Sequence, residues 1–136
     1  MSAHDKVAVG LGCDRGTPLT TVEQALGEAL ALAGLTPQSV AALASIAAKA
    51  DEVAFIELAA AHQLPMQFFS ADQLAAVDVP NPSETVRRYM GTPSVSEAAA
   101  LLAAGAVDAT ALIVEKHKLR GPDGRNATIS LARFTQ

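Results

Sequence analysis

The first predicted strand of this chain runs directly into a glycine-rich turn, and this junction constrains the fold more than any other feature. Val7–Leu11 is apolar apart from one glycine, a helix is expected from about Leu19, and Arg15 and Thr17 lie in the turn between them. Three glycines belong to the strand end and the turn: Gly10, Gly12 and Gly16. They allow the backbone to approach a ligand closely or to adopt positive φ. A strand, a glycine turn and a helix in this order typically present backbone N–H groups to an anion.

Strands and helices alternate along the rest of the chain. Further strands are predicted at Leu43–Ala48, Pro65–Phe69, Thr110–Glu115 and Ala127–Phe134. Helices are predicted from near Thr20 up to Gly34, and at Glu52–His62, Ala71–Ala76, Ser83–Met90 and Val95–Ala104. This alternation predicts an α/β fold, a three-layer α/β/α sandwich with a mostly parallel sheet of about five strands whose last strand is antiparallel. We expect residues 1–136 to form a single domain.

Several residues have the spacing of helix N-caps. Thr20 and Glu23 match a capping box, as do Ser94 and Glu97. Asp51 is predicted to cap the second helix, and Ser70 the short helix that follows the third strand, at Ala71–Ala76.

Composition excludes several classes of protein. Half of the residues are hydrophobic and 18% are charged, which favours a globular chain over a disordered one. The formal net charge of −4 argues against a general nucleic-acid binder. A single cysteine excludes an internal disulfide framework, and the chain has neither a signal-peptide pattern nor an apolar run of ~18 residues. The sequence therefore predicts a cytoplasmic protein that does not enter a membrane.

Polar and cationic residues are expected to gather at one edge of the sheet, because ligand sites lie outside the carboxyl ends of parallel strands. The segment from Lys116 to Asn126 is interpreted as a turn at this edge, with its reversal at Pro122-Asp123-Gly124. The residues expected there are Arg15, Lys49, Ser94, Ser96, Lys116, Lys118 and Asn126. Five other arginines are interpreted as surface residues: Arg87, Arg88, Arg120, Arg125 and Arg133. The ligand predicted by this edge is an anion.

Common nucleotide and metal motifs do not fit. The glycine spacing is one residue longer than in a dinucleotide site, and Lys49 stands where that site needs an acid. The histidines lack metal-ligand spacing, so we expect neither a metal nor a cofactor. Cys13 is a candidate nucleophile with His117 as its base, although a small buried side chain is the commoner role for such a cysteine.

The chain resembles the CobE / CbiG C-terminal family of cobalamin (vitamin B12) biosynthesis from about Lys6 to Phe134. The resemblance is carried by the segment GLGCDRGT, by Lys49 with Asp51-Glu52, by Pro82-Ser83, by SVSEAAALL and by Lys116 to Asn126-Ala-Thr. Matching positions are Gly10, Gly12, Cys13, Arg15, Gly16, Thr17, Lys49, Glu52, Ser83, Glu97, Lys116 and Asn126. The length is similar to that of the stand-alone CobE, without the N-terminal region of CbiG.

This resemblance implies a role on a precorrin intermediate around corrin ring contraction, with other enzymes of the pathway as possible partners. One interpretation is a protein that binds or hands on the carboxylate-rich tetrapyrrole. The alternative is a hydrolase that opens the δ-lactone of a precorrin-5-type intermediate and releases acetaldehyde. In that case Lys49 or Glu97 would activate water, while Arg15 and the turn amides would stabilise the oxyanion.

Overall fold

A computed structural model describes residues 6–77, 95–106 and 109–134. Its centre is a five-stranded sheet in the order β3-β2-β1-β5-β4. The strands are β1 (Val7–Cys13), β2 (Val40–Ile46), β3 (Met66–Phe69), β4 (Leu112–Arg120) and β5 (Asn126–Arg133). β1 pairs in parallel with β2 and β2 with β3, whereas β5 is antiparallel to both β1 and β4. β1 to β4 therefore share one direction, which confirms the mostly parallel α/β sheet with an antiparallel last strand.

Helices cover both faces of this sheet. The helices are α1 (Leu19–Leu32), α2 (Val53–His62), α3 (Ala71–Ala75) and α4 (Val95–Ala104). The buried side chains of α1 and α2 join one core with the inward residues of β1, β2 and β5. Those of α3 and α4 pack on the opposite face, against Ala8, Ala44 and Ala132 among others. These packed layers confirm the three-layer sandwich.

The alanine-rich helix α4 lies very close to the centre of the sheet. A Cβ atom added to Gly10 would overlap the Ser96 carbonyl oxygen and approach the Ala100 amide nitrogen to 2.8 Å. The space left by this missing side chain is therefore filled by a helix backbone. The sequence led us to expect a close approach by a ligand at Gly10, and the structure corrects that expectation.

Two predicted helix caps are wrong and one is confirmed. α1 begins directly after Pro18 with no side-chain cap among the described residues, because proline has no side-chain oxygen to accept from a helix amide. Glu23, expected in the capping box, instead accepts a 2.8 Å hydrogen bond from His62 Nε2.

The N-cap of α2 is Glu52 rather than Asp51. Ser70 forms the expected cap of α3, as the hydroxyl accepts from the Gln73 amide at 3.1 Å.

All five strand boundaries differ from the prediction: β1 ends at Cys13 instead of Leu11, β3 begins at Met66 instead of Pro65, and the other three strands shift as follows. β2 occupies Val40–Ile46 instead of Leu43–Ala48, and a 3-10 turn at Ala47–Lys49 follows it. β4 continues to Arg120, five residues beyond the prediction, because its ladder with β5 runs through the segment interpreted as a turn. β5 starts and ends one residue earlier than predicted. The reversal itself is confined to Gly121–Arg125, so Lys116 and Lys118 are strand residues.

The predicted helix Ser83–Met90, the site residue Ser83 and the predicted cap Ser94 lie outside the described residues. Within the described ranges, none of the helices combines the length and the apolar character that a membrane crossing requires.

Candidate functional site

The glycine turn after β1 is held by hydrogen bonds within the chain. The Thr17 amide and hydroxyl both donate to the Asp14 carbonyl, at 3.1 and 2.7 Å, and the Asp14 amide donates to the Asn126 carbonyl at 3.0 Å. Gly16 has a φ of +82°, which favours glycine. The Asp14 side chain in turn accepts from the backbone and side-chain nitrogens of Asn126, at 2.8 and 3.1 Å. The turn is therefore fixed to the start of β5.

A buried carboxylate, Glu52, joins this turn to the end of β2. Its side chain is 3% exposed, and its Oε2 accepts a 2.9 Å hydrogen bond from the Gly16 amide. Its Oε1 lies 3.1 Å from Arg15 Nη1 and 3.7 Å from Lys49 Nζ. Two of the cations expected at one edge, Arg15 and Lys49, thus meet on one carboxylate although they are 34 positions apart in the sequence.

Three backbone amides of the turn already have hydrogen-bond partners within the chain. The amides of Asp14, Gly16 and Thr17 donate to Asn126, Glu52 and Asp14 respectively. The sequence led us to expect these N–H groups to receive a ligand carboxylate or an oxyanion. In the structure the carboxylate that the turn receives is that of Glu52, because the start of α2 lies directly beside the turn.

Arg15 is the most exposed cation of this cluster. Its guanidinium donates to Asp51 Oδ1 at 2.9 Å and to the Ala48 carbonyl at 3.2 Å, yet 58% of the side chain faces solvent. The hydrogen bond to Asp51 raises the pKa of Arg15 and lowers the pKa of Asp51, so both groups stay charged. Arg15 is oriented by its neighbours and remains accessible to a ligand. Lys49, which is 9% exposed, chiefly balances Glu52.

A second group of polar side chains lies where α4 begins, on the other face of the sheet. Glu97 is fully buried, and Lys116 Nζ lies 3.9 Å from its Oε1. Beside it, the Ser130 hydroxyl lies 2.8 Å from the Ser96 hydroxyl and 2.6 Å from the Glu115 carbonyl. Ser96 and Lys116, which the sequence led us to expect beside Arg15 and Lys49, therefore lie on the α4 face, each held by a partner from a neighbouring element.

The structure weighs against a catalytic Cys13. Burial raises the pKa of its thiol to about 11, with a smaller opposing effect from Lys49. His117, the base that the sequence suggested, is paired with another residue: its Nε2 is 2.7 Å from Glu28 Oε1. Because neighbouring residues of a strand face opposite sides, His117 and Lys116 cannot share one site.

Lys118 is exposed in β4, paired with Thr128, rather than in the hairpin turn.

Sequence reasoning missed the role of Arg125. Its Nε donates to the Arg15 carbonyl at 3.1 Å, and its Nη1 donates to Asp123 Oδ2 at 3.0 Å. This arginine was interpreted as a surface residue, and it is exposed, but the β4–β5 reversal also brings it against Gly16. In the sequence, the only hints of this contact were the glycine at position 16 and the basic character of residue 125. Nothing in their spacing along the sequence relates residue 125 to residue 16.

A cleft of about 290 Å³ opens beside Arg15, between the glycine turn and α2. Its walls include the apolar side chains of Pro18, Leu19 and Val53, and Val53 is 63% exposed. Asp51 and Glu57 add negative charge. Among the described residues, no group of three or more His, Cys, Asp or Glu side chains is arranged to hold a metal ion.

Comparison with known proteins identifies the family. The model of the family described as cobalamin synthesis G C-terminus matches residues 7–132. A cobalt-precorrin-5A hydrolase from Priestia megaterium is 35% identical over 126 residues, which cover 93% of this chain and 32% of that protein. Protein CobE from Sinorhizobium sp is 39% identical over 112 residues, covering 81% of this chain and 71% of that protein. This chain thus spans about a third of the length of the matched hydrolase.

Solved structures agree with this match. The crystal structure of CobE, a protein from the cobalamin biosynthetic pathway, superposes with a TM-score of 0.74 at 28% identity, covering 96% of this chain and 92% of that one. Cobalamin biosynthesis protein chiG from Agrobacterium tumefaciens str. C58 gives a TM-score of 0.66 at 30% identity, covering 96% and 99%. The chain belongs to the cobalamin synthesis G C-terminal family and is a cobalamin biosynthesis protein of the CobE/CbiG C-terminal type.

Proposed function

We propose that this protein binds a precorrin-type tetrapyrrole at the edge where β1 and β2 end, and holds it or hands it to another enzyme of the pathway. The observation that supports this most is the pair Arg15 and Lys49, fixed around the buried Glu52 at that edge. A cation held in place by its neighbours can orient an anionic ligand without first losing side-chain freedom.

The chemistry of a precorrin suits this edge. The molecule is a flat macrocycle with acetate and propionate carboxylates around its rim, and a guanidinium can hold a carboxylate through two parallel hydrogen bonds. Arg15 is the exposed group that we assign to this contact, while Lys49 and Glu52 position it. Lys118 and Asn126 supply further polar groups along the strand ends. The apolar walls formed by Pro18, Leu19 and Val53 would take the edge of the ring.

The identity of the ligand is inferred from the relatives. One is named for its action on cobalt-precorrin-5A, and another is CobE of the same biosynthetic pathway. We extend a precorrin ligand from these proteins to this chain, and we place the activity in the cytoplasm, as its single cysteine favours.

Absorbance titration with uroporphyrin, a stable tetrapyrrole that carries carboxylates around its rim, tests the proposal. We expect saturable binding that weakens as ionic strength rises, and a loss of about tenfold or more in Arg15→Gln, since a charged hydrogen bond contributes about 1.5–3 kcal/mol. Arg133→Gln is the matched control, because this exposed arginine pairs with Val7 at the opposite end of the sheet. Equal affinities of the two variants, or no binding by the unmodified protein, would contradict the proposal.

A second candidate function is lactone hydrolysis, favoured by the 35% identity to a cobalt-precorrin-5A hydrolase across 93% of this chain. Lys49 or Glu97 would activate the water in that reaction, and both side chains are buried. Incubation of the pure protein with cobalt-precorrin-5A distinguishes the two functions. Release of acetaldehyde that is lost in Glu97→Gln would support hydrolysis, whereas binding without acetaldehyde release would support the first proposal.

A further inference from the structure

We propose that Arg125 is a second carboxylate-binding residue of this edge and acts with Arg15 as a clamp for two neighbouring carboxylates of one ligand. The inference rests on the proposed function and deepens it. It adds a residue from the β4–β5 reversal to a site otherwise built from the ends of β1 and β2.

The two arginines belong to adjoining segments. Arg125 Nε donates to the backbone carbonyl of Arg15 at 3.1 Å, so the side chain of one residue lies directly against the backbone of the other. A Cβ atom added to Gly16 would stand 3.5 Å from the same nitrogen. The glycine turn therefore forms the surface on which Arg125 rests.

Each guanidinium is oriented by one aspartate and one backbone carbonyl, and that of Arg15 also lies 3.1 Å from the buried Glu52. Arg15 donates to Asp51 at 2.9 Å and to the Ala48 carbonyl at 3.2 Å. Arg125 donates to Asp123 at 3.0 Å and to the Arg15 carbonyl. A guanidinium carries more N–H donors than these two hydrogen bonds use. The aspartates thus set the direction of each arginine and leave donors for a ligand.

Exposure separates this pair from the buried cation Lys49. The side chain of Arg15 is 58% exposed and that of Arg125 is 48% exposed, so a ligand can reach both without displacing any part of the fold. The backbone amide and the guanidinium of Arg125 lower the pKa of Asp123, which keeps this anchor charged at neutral pH. Two guanidinium groups on adjoining segments match a ligand whose carboxylates stand side by side on a rigid rim, as they do on a tetrapyrrole.

Binding of uroporphyrin to four single variants tests the clamp. We expect Arg125→Gln and Arg125→Lys each to bind about tenfold or more weakly, because lysine keeps the charge but loses the planar pair of donors. Arg120→Gln, an exposed arginine of the same hairpin, is the control and should change affinity less than twofold. Asp123→Asn should also weaken binding, although removal of a negative charge alone would strengthen the binding of an anion. Thermal unfolding of each variant shows whether it is folded.

The outcomes distinguish this inference from the proposed function. Arg125 variants that bind like Arg120→Gln, while Arg15→Gln binds weakly, would overturn the clamp and leave the proposed function intact. No binding by the unmodified protein would overturn both. Weak binding by the Arg125 variants and by Asp123→Asn, with normal binding by Arg120→Gln, is the result that the clamp predicts.

Discussion

The backbone amide of Gly16 donates a 2.9 Å hydrogen bond to Oε2 of Glu52, so the glycine turn already holds a carboxylate that the chain itself supplies. The other oxygen of that carboxylate faces Arg15 and Lys49. The turn is thereby held in place before any ligand arrives, and Arg15 is the exposed cation of this group. A glycine turn whose sequence suggests an anion-binding site thus binds an internal carboxylate, and that carboxylate positions the exposed arginine.

Glu52 should be essential for stability. Glu52→Ala leaves the Gly16 amide unpaired and removes the carboxylate beside Lys49, whose side chain is 11% exposed. Breaking a buried ion pair of this kind costs about 3 kcal/mol or more of the free energy of unfolding. Urea denaturation measures the loss, and Glu57→Ala, an exposed glutamate of the same helix, is the control. Similar losses in the two variants would show that the Glu52 network contributes nothing.

Gly10→Ala should destabilise the protein by about 1–3 kcal/mol or more, because the added methyl group meets the backbone of α4 at Ser96 and Ala100. The matched control is Gly27→Ala in α1, where an added Cβ has no atom within 4 Å. That change should instead stabilise by about 0.5–1 kcal/mol, since alanine favours a helix over glycine. Calorimetry that finds both variants shifted in the same direction would contradict the close packing of α4.

Cys13 should react slowly while the protein is folded. With a pKa of about 11, about a thousandth of the thiol is ionised at pH 8, which is about a hundredfold less than for the unfolded thiol with its usual value of 9.0. Alkylation by iodoacetamide, followed by mass spectrometry with and without urea, measures the ratio. Faster reaction in the folded state would restore Cys13 as a candidate nucleophile.

Acid should weaken the attachment of β4 to α1. The hydrogen bond with His117 lowers the pKa of Glu28 below its ordinary value of 4.5, and Gln24 adds to this effect. A carboxyl whose pKa is depressed in the folded state stabilises above its unfolded pKa, and this contribution is lost as the pH falls through the folded pKa. The difference in urea midpoint between the unmodified protein and Glu28→Gln should therefore shrink from about pH 5 to about pH 3. A constant difference over that range would contradict the pairing.

The sequence predicted the architecture because its strongest patterns are local. The apolar segment that begins at Val7, the apolar stripe of α1 and the alanine-rich α4 could each be predicted correctly from a few neighbouring residues. β4 was predicted too short because its alternating polar residues, from Lys116 to Arg120, look like a turn when the partner strand is unknown. That residues 1–136 form one domain stays a prediction.

The candidate site was less predictable because its contacts join distant positions. Arg15 and Lys49 were expected at one edge from the rule for parallel strands, but the hydrogen bond from Gly16 to Glu52 spans 36 positions and the one from Asn126 to Asp14 spans 112. No local pattern encodes either. The assignment of Ser83 and Ser94 to the site stays a prediction.

The most direct test of the account is to map where a carboxylate-bearing tetrapyrrole binds. Amide chemical shifts of the isotope-labelled protein, followed by NMR during titration with uroporphyrin, report this residue by residue. We predict that the largest shifts occur at Arg15–Thr17, Asp51–Val53 and Gly124–Asn126, with little change near Lys6 and Arg133 at the opposite end of the sheet. Largest shifts around Lys6 and Arg133, or no shifts at any amide, would contradict the claim that the anchored arginines at the strand ends form the binding edge.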